Sequence, residues 1–186
     1  MTIEAAIIVA VIGAALKYVN DLAVARRKDR LERLSLQLRD LYGPLYSLDR
    51  AAREAWLTFR KLHRPKVSAF WDPADPPSAE DAAAWRLWMT EVFMPINLRM
   101  EQAIVGHADL LIEPQIPRCL LDFCAHVAAY KAIMKQWGQD DFSHHVASVS
   151  YPWEPLRKYV TDSYELLMHG QAVLLSKKQL SQKSRA

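Results

Sequence analysis

The chain has 186 residues, 51% of them apolar and 24% charged, with a formal net charge of +3 at pH 7. That balance belongs to a folded globular chain of one domain plus an appendage, not to a disordered one. Five glycines, ten prolines and two cysteines argue against a β-sandwich, against glycine-rich phosphate loops and against a disulfide scaffold.

Residues 3–19 are apolar apart from Glu4 and Lys17. As a helix rising about 1.5 Å per residue they cover roughly 25 Å, slightly less than a hydrocarbon core of about 30 Å. Three readings compete for this segment. A signal peptide would need a basic start, which is missing, although Ala23-Val24-Ala25 resembles a cleavage site. A helix buried in a bundle or oligomer fits the short length. A single-pass anchor built on Ile7, Ile8, Val9, Val11, Ile12 and Leu16 is the reading adopted.

The cluster Arg26-Arg27-Lys28-x-Arg30 follows directly. The positive-inside rule then leaves the carboxy-terminal side in the cytoplasm and the amino terminus outside, with these four side chains at lipid headgroups. Residues 1–16 carry −1, residues 17–33 carry +3 and residues 177–186 carry +4, so residues 34–176 sum to −3. The basic character sits near the two ends, and no nucleic-acid partner is expected.

From Leu31 a heptad stripe runs through Leu34, Leu38, Leu41, Leu45, Leu48, Ala52, Ala55, Phe59 and Leu62. Gly43-Pro44 interrupts it, and proline chemistry predicts a break or sharp kink there, between a helix over 3–42 and another over 44–63. Residues 64–78 hold four prolines and read as a loop pinned by Phe70 and Trp71. Ser78 caps the next helix, which is expected to run to Leu111 with a kink at Pro95. A third begins at Pro117 and ends at Gly138. Residues 139–154 form a polar loop with a strand-like patch at 146–149. Pro155 opens a last helix, where the small Ser163 and Gly170 permit close approach of a neighbour. The expected organisation is all-α: an anchor over 1–25, a roughly four-helix bundle over 26–176, and a flexible basic tail over 177–186.

Candidate chemistry is sparse. Cys119, Cys124 and His126 are the only residues resembling a metal set, but five- and two-residue spacings turn them to different sides of a helix. His107 with Asp109, and Asp141 with His144 and His145, are the groups that could support acid–base chemistry. Nucleophile, phosphate-loop and zinc-protease motifs are absent, and no cofactor is expected. Six tryptophans are many for this length, and Trp71 and Trp153 are the candidates for contacting a partner.

Leu41-Tyr42-Gly43-Pro44-Leu45-Tyr46, Trp85-Arg86-Leu87-Trp88-Met89, Met94-Pro95-Ile96-Asn97, His107-Ala108-Asp109-Leu110-Leu111 and His126-Val127-Ala128-Ala129-Tyr130 resemble uncharacterised bacterial proteins with a short amino-terminal hydrophobic helix. The resemblance implies a bacterial inner-membrane setting and brings no activity with it. The expectation is a membrane-anchored interaction or scaffold protein whose partners are membrane lipid and either another protein or a second copy. A hydrolase or metal enzyme using the His/Asp groups, and an effector that oligomerises through its first helix, are the alternatives.

Overall fold

The computed structural model describes residues 3–183, the side chains of 4–6, 8, 9 and 177–183 excepted. Helix α1 spans Ile3–Leu36 and α2 spans Gly43–Leu62. Next come α3 over Ala79–Trp88, α4 over Met94–Gly106, α5 over Arg118–Trp137 and α6 over Trp153–Lys183. The described residues are all-helical, without a strand. The patch at 146–149 is irregular loop, its backbone bent rather than paired.

Of the break or sharp kink expected at Gly43-Pro44, the break does not occur. A π-turn over Gln37–Tyr42 joins α1 to α2, so one continuous rod runs from Ile3 to Leu62. A proline inside a helix lacks its N–H and crowds the carbonyl four residues back. One wider turn relieves both: Gly43 donates to the Leu38 carbonyl five residues back, and Pro44 follows where no donor is needed. Pro95 is accommodated in the same way. A π-turn over Met89–Phe93 joins α3 to α4, with Met94 donating to the Met89 carbonyl.

Gly43 is required by this geometry. A Cβ there would stand 2.3 Å from the Leu38 carbonyl oxygen, which the helix holds in place. Gly43→Ala should therefore cost about 1–3 kcal/mol, the range for forcing atoms into packed space. Gly106→Ala, with nothing within 4 Å of the new Cβ, should be neutral or slightly stabilising. Chemical unfolding of the two variants checks the contrast.

Each π-turn also resets which side of its rod is buried. Beyond the second one, Phe93, Asn97 and Met100 are buried whereas Val92 and Ile96 are only half-covered. On the first rod Gln37, Tyr42 and Asp49 join Leu41, Leu45, Ala52 and Phe59 in the interior, while Leu62, at the end of the predicted stripe, is 64% exposed.

The rods close into a ring: α2 packs on α4, α4 on α5, α5 on α6, and α6 returns to α2. Ser78 caps α3 through a reciprocal box with Asp81, as the sequence indicates. The rod begun there ends at Gly106, short of Leu111, and a single 3₁₀ turn over Ala108–Leu110 follows. Gln37 Nε2 donates to the Leu110 carbonyl (2.9 Å), and the Ile112 N–H donates to the Tyr42 hydroxyl (3.1 Å). That hydroxyl bonds Tyr159 (2.8 Å), whose own O–H donates to Glu113 (2.8 Å). Arg64 holds the proline-rich loop by donating to the Phe70 carbonyl (2.6 Å) and to the Asp75 carboxylate (2.6 Å), and Phe70 is buried as expected.

Helix α6 also packs against α1. A Cβ on Gly170 would meet the Leu34 methyls at 3.7 Å, so the small residue does permit close approach. Gln171 donates to Ser35 (3.2 Å), and Arg27 donates to the Leu174 carbonyl. Helix α6 then continues through residues 177–183 of the segment read as a basic tail.

Candidate functional site

The helices and their loops enclose a cavity of about 240 Å³ with a mainly aromatic lining. Helix α2 supplies Ala52 and Trp56, four residues apart and hence on one face. Trp71 reaches in from the proline-rich loop. Trp85, Met89, Phe93 and Asn97 follow at steps of four along the α3–α4 rod and form one wall. His126 and Tyr130, again four apart, come from α5, and Trp153 opens α6. Val146 and Ser150 from the 139–152 loop also line it, and both are exposed, so they mark its mouth.

The loop that carries the His/Asp candidates proves to be a support for these aromatics. The His145 carbonyl accepts from Trp85 Nε1 (2.9 Å) and from the Tyr130 hydroxyl (3.4 Å). The His144 carbonyl accepts from Trp137 Nε1 (2.8 Å). Burying an indole or phenol requires a partner for its donor, and these backbone carbonyls provide it. The His145 ring lies 4.8 Å from that of Trp71. Asp141 accepts from the Ser143 N–H (3.0 Å); hydrogen bonding from Ser143 holds its carboxyl below the usual range. Ser143 Oγ also lies 3.0 Å from His144 Nδ1.

The remaining candidates are placed elsewhere. His107 lines a shallow surface recess with Asp40 and Arg99 rather than with Asp109, whose carbonyl accepts from Arg33 (3.3 Å). Cys119 and Cys124 are free and half-buried. Burial pushes both thiols up, disfavouring the thiolate that would bind metal or attack a substrate. Among the described residues no three of His, Cys, Asp and Glu gather as metal ligands.

His126 does belong to the cavity. Its Nδ1 lies 2.7 Å from the Val149 carbonyl, an acceptor only, so Nδ1 carries the proton and donates. Burial lowers its pKa, with the Val149 bond acting the other way, so the ring is neutral near pH 7. Tyr130 is pushed up to about 12 by burial, and Tyr151 rises for the same reason. Among the described residues no acidic side chain, lysine or arginine lines the cavity.

Trp71 and Trp153, singled out from sequence, both lie in this wall, half-buried. Asn97 was not among the candidates, because a regular three-and-four spacing from Trp85 and Met89 runs through Val92 and Ile96 instead. Its signal was the four-residue step from Phe93, visible only once the π-turn is taken into account.

The second feature is the amino-terminal rod. From Ala10 through Arg26 every residue is exposed, including Val11 (62%), Leu16 (67%) and Val19 (63%). Ile7 and Ile12 are exposed too, while the Ile8 and Val9 side chains lie outside the described set. Among the described residues no helix is long and apolar enough to cross a membrane. Arg26, Lys28 and Arg30 are exposed, whereas Arg27 is partly covered through its bond to Leu174.

Comparison with protein families, with curated proteins and with solved structures finds no match to the chain.

Proposed function

We propose that the chain is a membrane-tethered helical module, held at the cytoplasmic face of a bacterial inner membrane, which presents its bundle to a protein partner or to a second copy of itself. The observation that carries the reading is the uncovered apolar helix. Val11, Ile12, Leu16 and Val19 extend beyond the bundle with no cover from their own chain. Leaving such side chains in water forgoes about 1.5–3 kcal/mol each, which lipid or another helix would restore. The apolar run also includes Ala5, Ala6, Ile8 and Val9.

Charge supports the same arrangement. Packing of α6 on α1 returns the carboxy-terminal segment, with Lys177, Lys178 and Lys183, toward the end that carries Arg26, Lys28 and Arg30. Two basic segments then share one end of a bundle whose central 143 residues, 34–176, sum to −3. Anionic headgroups attract such residues by about 1 kcal/mol each.

Full-length protein should stay with the membrane pellet through an alkaline carbonate wash. Ile12→Asp combined with Leu16→Asp should release it, each acid costing about 2.5–3.5 kcal/mol near the middle of a span. With Cys119 and Cys124 changed to serine, a Thr2→Cys probe should react with an impermeant maleimide added outside intact cells. Release of the unmodified chain by carbonate, or a Thr2→Cys thiol that reacts only after lysis, would overturn the proposal.

A further inference from the structure

The geometry points to the aromatic cavity as a binding site for a flat, uncharged heterocycle of one or two rings, whose edge carries a hydrogen-bond donor beside an acceptor, as in a lactam or a nucleobase. Asn97 is the residue that reads that edge. It is 3% exposed and lines the cavity. A carboxamide in such a wall offers a guest both a donor and an acceptor.

On the Asn97 rod its neighbours Phe93, Met94 and Met100 are apolar. Three of the polar groups across the cavity are committed elsewhere: Trp85 Nε1 and the Tyr130 hydroxyl to the His145 carbonyl, and His126 Nδ1 to the Val149 carbonyl. Trp71 Nε1 and the Tyr151 hydroxyl are buried without partners in residues of this wall. A carboxamide offers an N–H and a carbonyl side by side, which matches a lactam edge in two bonds.

Size and charge narrow the ligand further. At about 240 Å³ the cavity lies below the roughly 300–1,000 Å³ that takes drug-sized molecules, so one or two fused rings fit. Trp56 and Trp71 stand at 86° and 82° to Trp85, with ring centroids 6.0 and 6.3 Å away, so aromatic surface meets a flat guest from more than one direction. A charged guest would surrender its hydration without meeting an acidic or basic side chain. Aromatic faces alone could attract a quaternary ammonium ion, but such an ion has no use for the carboxamide.

The test follows the indole N–H signals of the full-length protein by NMR during titration with carbostyril (a bicyclic lactam), quinoline (the same rings with an acceptor only) and tetramethylammonium. Carbostyril should shift the signals saturably at a concentration severalfold, up to about tenfold, below quinoline, as the one added hydrogen bond allows. Asn97→Leu should abolish that preference while both compounds still enter. Three outcomes would overturn the assignment: no saturable shift with carbostyril, leaving a cavity filled by water; equal binding of quinoline; or tighter binding of tetramethylammonium. Should Asn97→Leu fail to fold, the ratio between the two bicyclic compounds on the unmodified protein decides the matter. The result does not depend on whether the first helix enters lipid.

Discussion

Phe59→Ala is expected to cost about 3–5 kcal/mol, the range for truncating a buried aromatic side chain. Phe59 is completely buried on α2. Its ring lies within 6.1 Å, centroid to centroid, of Trp56, Phe70, Trp85, Trp88 and Phe93. These neighbours come from the second turn of the ring of rods and from the proline-rich loop as well as from α2 itself. None can move into the vacated space without giving up its own contacts, so the cavity term is felt in full. The measurement is the midpoint of chemical unfolding, followed by tryptophan fluorescence. Leu62→Ala, three residues along on the same predicted stripe but 64% exposed, should change it by no more than about 0.5 kcal/mol. Equal losses at the two positions would mean that the stripe is buried along its whole length, contrary to the packing described above.

Removing Arg157 should be nearly as damaging, by about 3 kcal/mol near neutral pH. Asp49 is 2% exposed on α2, and one of its oxygens, Oδ1, has no hydrogen-bond partner. Arg157 Nε of α6 stands 3.7 Å from the other oxygen. That separation is long for a hydrogen bond, so the pair is held mainly by charge. Taking away the arginine leaves a buried carboxylate without its counter-ion, the situation that costs most among ion-pair mutations. The exposed contact of Arg157 with Glu154 contributes little, because solvent screens it. Replacing both partners, Asp49→Leu with Arg157→Met, should recover most of the loss, and a double-mutant cycle measures the coupling.

The same carboxylate makes stability depend on pH. Burial pushes the Asp49 carboxyl up, with Arg157, Arg50 and Arg53 acting the other way. A group whose pKa is raised on folding binds its proton more tightly in the native state than in the unfolded chain. Its contribution is therefore most favourable below the ordinary carboxylate value and is lost as pH rises through the raised folded value. Asp49→Asn should flatten that part of the profile, and the penalty of Arg157→Met should shrink in acid as Asp49 takes up its proton.

Much of the local structure was legible in the residues themselves. Ser78 with Asp81 and Pro117 before α5 are start signals whose chemistry acts within a few residues, so tertiary context need not be known. Gly138 does follow the end of α5 but stays right-handed at φ −66°, so the left-handed glycine cap does not form there. Gly43-Pro44 misled because proline forbids a regular helix but not a widened one. Whether the chain breaks or inserts a π-turn depends on what packs beside it, and Tyr42, Leu45 and Asp49 are all drawn into the bundle. The part the His144-His145 pair plays in packing was equally hidden: its backbone carbonyls accept from Trp85 and Trp137, and the His145 ring lies against Trp71.

By itself the sequence determined that the chain is helical, where most of its rods begin and end, and that its first helix is apolar with basic residues behind it. These follow from short-range sterics, capping and periodicity. Only the tertiary structure decided that α1 and α2 form one rod, which residues of each stripe face inward, and that Asn97 opens into a cavity walled by six segments of the chain. One additional residue in a turn rotates everything beyond it by about 100°, and the free energy that selects the rotation comes from neighbours distant along the chain.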